Sequence, residues 1–264
     1  MTSIPIFTRD KLTVKIFRNR AEMGAAAARQ VSATMQNLLR EREEVNIILG
    51  SAPSQNEFID GLAADPAIEW PRVNAFHMDE YVGLPLEAPS SFGYYLRERL
   101  FGKVRLKAVH YINGMATDVQ AECERYTGLL KKHPTDISCL GIGENGHIAF
   151  NDPHVAFFND PLMVKVVEMD LQCRRQQVND KCFDRLEQVP THAITLTVPA
   201  LMAANYVYGV VPARTKAQAV LHTLNGEISE KCPASVLRTK EGSILFLDPD
   251  SSELVTGTTN KSML

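Results

Sequence analysis

Within thirteen residues, Gly141-Ile-Gly-Glu-Asn-Gly-His-Ile-Ala-Phe-Asn-Asp-Pro153 sets one imidazole, His147, among Glu144, Asn145, Asp152 and three glycines. An imidazole with acids a few residues to either side moves protons near neutral pH. The glycines let the backbone take positive φ and approach a ligand closely. A second acid pair, Asp79-Glu80, closes the strand-like run Val73–Met78. Ligand chemistry collects at the carboxyl end of a parallel strand, so Asp79 is placed for a general base, with a turn cap as the plainer alternative. His77 reads as a core or supporting histidine rather than a catalytic one.

Two stretches suit an anion. Gly50-Ser-Ala-Pro-Ser-Gln-Asn-Glu57 joins a strand to a helix, and Ser54 with Glu57 has capping-box spacing, which predicts a helix from about Gln55. Free N–H groups and the helix dipole favour a phosphate there. The loop has neither the P-loop lysine signature nor G-x-G-x-x-G, so no nucleotide is implied. Lys216 falls in the first turn of a helix opening at Pro212 and running to Leu224. A cation there opposes the dipole, unless an anion binds beside it. Cys173-Arg-Arg-Gln-Gln177 is either a solvated patch or an anion clamp.

The elements that must hold these residues alternate. Leu12–Phe17, Val45–Leu49, Val73–Met78, Ile137–Leu140, Met163–Met169, Ala193–Val198, Tyr206–Val211 and Ser243–Leu247 read as strands. Helices are expected from the Asn19/Glu22 capping box to Leu39, over Ser90–Leu100 with Tyr94, Tyr95 and Leu96 facing the core, and over Ala116–Leu130 with Glu122, Glu124 and Arg125 facing water. The expected fold class is α/β: a doubly wound, mostly parallel, Rossmann-like sheet with helices on both faces. One domain spanning 1–264 is expected, ending in a polar, mobile tail after about residue 250.

Composition narrows the function classes. With 264 residues, 45% hydrophobic, 22% charged and a net charge of −3, the chain has no basic face for nucleic acid and no apolar stretch of membrane-spanning length. Five scattered cysteines form no C-x-x-C pair, which argues against a disulfide framework and a structural zinc site. Met1 to Lys11 has no secretory or transit character, and a cytoplasmic protein is expected.

With Phe76-His-Met-Asp-Glu-Tyr-Val-Gly-Leu-Pro85, Gly141 to Pro153, Gln188-Val-Pro-Thr191 and Lys216 assembled, the sequence resembles the glucosamine-6-phosphate deaminase family, from about Ile16 to Leu247. The resemblance implies a cofactor-free and metal-free reaction on a small-molecule amino-sugar 6-phosphate, which with water becomes a ketose 6-phosphate and ammonia. It implies that His147, with Asn145 and Asp152, moves the ring-oxygen proton, and that Asp79 carries a proton from C2 to C1. Substrate contacts are expected from Ser51, Ala52, Ser54, Gln55, Glu80, Gly146, Arg175 and Lys216, with Arg174 and Lys181 as other candidates for the phosphate. Family members range from monomers to hexamers, so a homo-oligomer is open to this chain.

The chain departs from the family pattern in three places. Asn145 stands where some members have aspartate, and Asp152 where they have glutamate. An amide orients an imidazole without stabilising its charged form, and Glu144 is a candidate to compensate. Ser51-Ala-Pro-Ser-Gln-Asn56 replaces the usual Gly-Gly-Thr turn. His154-Val-Ala-Phe-Phe-Asn-Asp-Pro161 lacks the serines and basic residues of regulated members, so no activation by an acetylated amino-sugar phosphate is expected. Glucosamine 6-phosphate is the default substrate and its galactosamine epimer the second. A 6-phosphogluconolactonase follows, disfavoured by Tyr81 and by Phe150-Asn151-Asp152. A non-catalytic sugar-phosphate sensor comes last.

Overall fold

The structure is a computed structural model and describes residues 5–255. The chain opens with a hairpin, β1 (Ile6–Arg9) and β2 (Leu12–Ile16), turning at Asp10 with φ 51°. The sequence gives no sign of β1, whose side chains are mostly exposed and so carry no alternating pattern. Helix α1 (Arg20–Glu41) starts at the expected cap, where Asn19 Oδ1 accepts from the Glu22 N–H at 2.8 Å. There follow β3 (Val45–Leu49), α2 (Asn56–Ala63), β4 (Val73–His77), β5 (Asp79–Tyr81), α3 (Phe92–Leu96), β6 (Ala108–His110), α4 (Val119–Lys132) and β7 (Ile137–Leu140). The chain then runs through β8 (Val164–Glu168), α5 (Leu171–Asn179), β9 (His192–Leu196), α6 (Val198–Met202), β10 (Tyr206–Val211), α7 (Ala217–Asn225) and β11 (Ile244–Leu247).

Eight strands form the main sheet in the order β1-β2-β11-β10-β7-β3-β4-β6, parallel except for the β1–β2 hairpin. Winding proceeds outward from β3 through β4 to β6 on one side, and from β7 through β10 to β11 on the other. The direction therefore reverses between β3 and β7, and their carboxyl ends diverge into a crevice. Alternate residues of each strand feed opposite cores. Ile47 and Leu49 pack with α1 and α2, and Ile48 and Leu140 pack with α4, α6 and α7. Helices thus cover both faces, as the alternation of elements requires.

Two of the expected strands, Met163–Met169 and Ala193–Val198, lie outside this sheet. β5, β9 and β8 form a separate antiparallel sheet in that order, packed between the core under α4 and an aromatic cluster that includes Tyr81, Phe92 and Phe150. The chain leaves the main sheet after His77 and joins the small one at Asp79. The run Phe76–Tyr81 is buried throughout, and no glycine, proline or turn sequence marks the break.

Several local expectations give way to tertiary partners. The Ser54/Glu57 capping box does not form: the α2 N-terminus has no side-chain cap, and Glu57 instead meets Arg20, Nε to Oε1 at 2.8 Å. Pro53 opens a short 3-10 turn ahead of α2, where a missing N–H costs nothing. Glu122 faces inward and is buried, accepting from the Asn113 N–H at 2.7 Å and pairing with Arg125. The Ser90–Leu100 helix is shorter, capped by Ser91, and passes into a π-helical turn over Arg97–Phe101; Leu96 is buried, and Tyr94 and Tyr95 are half-buried. The tail folds up to residue 255, with Asp248, Ser251 and Ser252 buried. The remainder of the expected mobile tail, 256–264, lies outside the described residues. Among the described residues no helix is long and apolar enough to cross a membrane.

His77 holds the junction between the sheets. Its Nδ1 lies 2.9 Å from the Asp79 carbonyl and its Nε2 2.8 Å from the Ile112 N–H. Nδ1 must donate and Nε2 must accept, which fixes one neutral tautomer and leaves no site for a second proton. Burial lowers its pKa from 6.5 to about 4. The unfolded chain takes up a proton near 6.5 and the folded chain only near 4. The stability from neutral His77 is therefore complete above that window and is lost as pH falls through it, by roughly 1.4 kcal/mol per pH unit. Denaturant unfolding of His77→Asn and wild type between pH 7.5 and 5 should show the slope reduced by about one proton in the variant; equal slopes would remove His77 from this account.

Candidate active site

Segments at the carboxyl ends of β3, β4, β7 and β10 close around a cleft at the crevice between β3 and β7. Ser51, Asp79, His147 and Lys216 line it, one from each segment. The sequence places these four far apart; the parallel sheet brings them to one edge.

The glycine turn after β7 is built around the imidazole. A Cβ on Gly143 would stand 2.1 to 2.4 Å from three atoms of the His147 ring, so only glycine leaves the ring its place. Gly146 takes φ 84°, and its carbonyl accepts from the Ala234 N–H at 2.9 Å; it does not line the cleft. His147 Nδ1 lies 2.8 Å from Asn145 Oδ1 and 3.1 Å from Asp152 Oδ1. Asn145 Nδ2 donates to the same Asp152 oxygen at 2.9 Å, and the Asp170 N–H donates to Asp152 Oδ2 at 2.9 Å. Burial pushes the Asp152 carboxyl up, but the bonds from His147, Asn145 and Asp170 outweigh it and hold the group below its ordinary range. With Nδ1 donating, Nε2 is the ring nitrogen left for a ligand. The carboxylate that Asn145 cannot supply therefore comes from Asp152, and no bond joins the Glu144 side chain to the imidazole.

Asp79 and Glu80 point to opposite sides of β5, as alternation requires. Asp79 lines the cleft at 6% exposure, and burial, with the neighbouring Glu80 charge, raises its carboxyl well above the ordinary 3.8. Glu80 does not reach the cleft. It accepts from Ser91 Oγ at 2.7 Å, from the Gly93 N–H at 2.9 Å and from the Phe92 and Tyr81 N–H groups, anchoring β5 to the start of α3.

Lys216 is 5% exposed, and its Nζ has no hydrogen-bond partner among the described residues. Burial lowers its pKa, opposed by the charges of Asp180 and Glu144. Ser51 Oγ and Gln55 Oε1 are buried and unpartnered beside the same cleft, and Gln55 Nε2 bonds the Val210 carbonyl at 2.9 Å. Ala52 and Ser54 line it too. A buried ammonium among unfilled polar groups costs free energy until an anion meets it.

Arg175 is not brought to the site. It is exposed on α5 and absent from the cleft wall, while Arg174 donates to the Leu186 and Val189 carbonyls at 3.0 and 2.8 Å. Lys181, at φ 60°, is exposed beside an adjoining groove. The turn of α5 presents Gln176, Gln177 and Asp180 to the cleft instead. Only the two amides were singled out by the sequence pattern, and Asp180 carried no signal. His147, Asp152 and Cys173 place donor atoms within 4.8 Å of one another, the described set with the spacing for a metal ion, and its first two members already bond each other.

Residues 18–246 match the family model described as glucosamine-6-phosphate isomerases/6-phosphogluconolactonase. A glucosamine-6-phosphate deaminase of Bacillus cereus is 37% identical over 246 residues, 92% of this chain and 88% of that protein. One from Listeria innocua is 38% identical over 212 residues, 80% of this chain and 88% of that protein. Among solved structures, a monomeric glucosamine-6-phosphate deaminase superposes with a TM-score of 0.83 at 27% identity, covering 91% of this chain and 99% of its own. A 6-phosphogluconolactonase from Thermotoga maritima shares the fold, with a TM-score of 0.74 at 21% identity over 90% of this chain and 100% of its own. The chain belongs to the glucosamine-6-phosphate isomerase/6-phosphogluconolactonase family.

Proposed function

We propose that the protein is a deaminating aldose–ketose isomerase acting on an amino-sugar 6-phosphate, with glucosamine 6-phosphate converted to fructose 6-phosphate and ammonia. The observation that carries this reading is the convergence of Asp79, the His147–Asp152 pair and an unpartnered buried Lys216 on one cleft. It is also the activity that gives the Bacillus and Listeria relatives their name. The 6-phosphate binds Lys216 and the Ser51–Gln55 loop and serves as the unreacting handle that orients the sugar. His147 Nε2 takes the C1 hydroxyl proton and returns it to the ring oxygen as the ring opens, while Asp152 stabilises the imidazolium. Asp79 removes the C2 proton and delivers it to C1 through an enolamine. Water then adds to the C2 iminium and ammonia leaves. The residues of the described chain form one catalytic domain, working in the cytoplasm and needing neither metal nor cofactor for these steps.

Ammonia release should be measured with glucosamine 6-phosphate and galactosamine 6-phosphate in parallel. Release from one sugar fixes the C4 preference of the altered Ser51–Gln55 loop. Asp79→Asn should lower kcat by ~10²–10⁴-fold with the fold intact. Hydrolysis of 6-phosphogluconolactone without ammonia release from either sugar would overturn the assignment.

The pH profile offers a separate check. Asp79 must be ionised to act, and its carboxyl sits well above 3.8, so kcat/KM should fall with decreasing pH at a correspondingly raised midpoint. Glu80→Gln removes one of the two causes and should shift that limb to lower pH relative to wild type; an unmoved limb would assign it to another group.

A further inference from the structure

Lys216 is aimed by a backbone conformation that its own sequence disfavours. Ala213, three residues ahead of it, takes φ 83° and ψ 145°. That region belongs almost wholly to glycine, and a side chain held in it is strained. The structure shows what holds it. The Ala213 N–H points at the carboxylate of Asp248, 3.2 Å from each oxygen. Asp248 directly follows β11, is 4% exposed, and accepts from the Ser251 N–H at 2.8 Å. Arg214 extends the clamp outward, pairing with Glu253 at 3.2 Å and Asp250 at 3.9 Å. The next residues form the 3-10 turn Arg214–Lys216, whose last side chain is the unpartnered ammonium of the cleft.

We infer that Asp248 is a positioning residue for the anion site: by fixing Ala213 at positive φ it holds Lys216 where a phosphate group binds. This rests on the reading of Lys216 as the phosphate-binding cation, and it adds a residue outside the cleft. The free energy stored at Ala213 is repaid by a charge-assisted bond from Asp248 that a neutral partner would not match. Removing the carboxylate lets Ala213 relax, and the turn carrying Lys216 moves with it. Replacing Ala213 by glycine removes the strain and with it much of the need for the clamp.

The test is calorimetric titration of the full chain with inorganic phosphate, alongside steady-state kinetics of ammonia release. Asp248→Asn keeps the volume and turns one acceptor into a donor facing the Ala213 N–H. It should weaken phosphate binding about tenfold, ~1.4 kcal/mol, and raise KM by a similar factor with kcat changed less than about threefold. Ala213→Val approaches from the other side, since a β-branched residue does not adopt this φ, and should do the same with Asp248 intact. Adding Ala213→Gly to Asp248→Asn should restore most of the lost affinity. A merely structural role would lower the melting temperature without this split and without rescue by glycine. Folded Asp248→Asn or Ala213→Val protein with phosphate affinity within about twofold of wild type would overturn the inference. Wild type with no affinity for phosphate would overturn it together with the anion-site reading. Phosphate binding without ammonia release would sink the proposed reaction and leave the clamp standing.

Discussion

The catalytic edge of the molecule depends on one buried carboxylate. Asp152 is closed off from solvent, and an isolated charge there would be too costly to keep. It persists because His147, Asn145 and the Asp170 backbone converge on it. Those donors come from the glycine turn and from the residue that caps α5, so satisfying the charge also fixes the relation between the two segments. Gly143 contributes empty space, the one thing no side chain supplies. The imidazole is oriented by the needs of a buried neighbour.

At the other end of the cleft the logic is reversed. Asp152 is buried and fully bonded, whereas Lys216 is buried with its ammonium unmet. Between them Asp79 is held in surroundings that disfavour its charged form. The three groups occupy three electrostatic conditions: a satisfied anion, an unsatisfied cation and a carboxyl poised toward neutrality. Perturbed groups gathered in one cleft are a common mark of catalytic sites, and here each perturbation has a separate physical source.

The legible parts of the sequence were those governed by local chemistry. The Asn19 cap and the strands β3 and β7 follow from short-range rules and came through intact, while the helix expected from Pro212 starts only at Ala217, after a 3-10 turn that ends in Lys216. The small antiparallel sheet did not come through, because only Met78 separates β4 from β5 and no glycine, proline or turn sequence marks the break. Arg175 was expected at the anion site on its charge. Its place on α5 turns it to solvent and turns Gln176 and Gln177 inward, a matter of helix rotation set by packing. Glu80 was drawn in by adjacency to Asp79, although a strand sends neighbours to opposite faces. Glu57 matched a capping pattern but found Arg20 across the fold. Apart from Glu80, where strand alternation itself decides, these are cases where tertiary packing outweighed a local preference.

The division into two sheets gives the site a separable design. His147 and Lys216 ride on loops of the large parallel sheet, and Asp79 rides on the first strand of the small one, joined through His77. Lys216 and His147 therefore stand on loops of one sheet, while Asp79 stands on the other. Sequence change in the small sheet can shift the Asp79 carboxylate relative to His147 and Lys216. A family whose model covers both glucosamine-6-phosphate isomerases and 6-phosphogluconolactonases has in this seam a ready place to diverge, since the carboxyl and the imidazole of the cleft answer to different pieces of the fold.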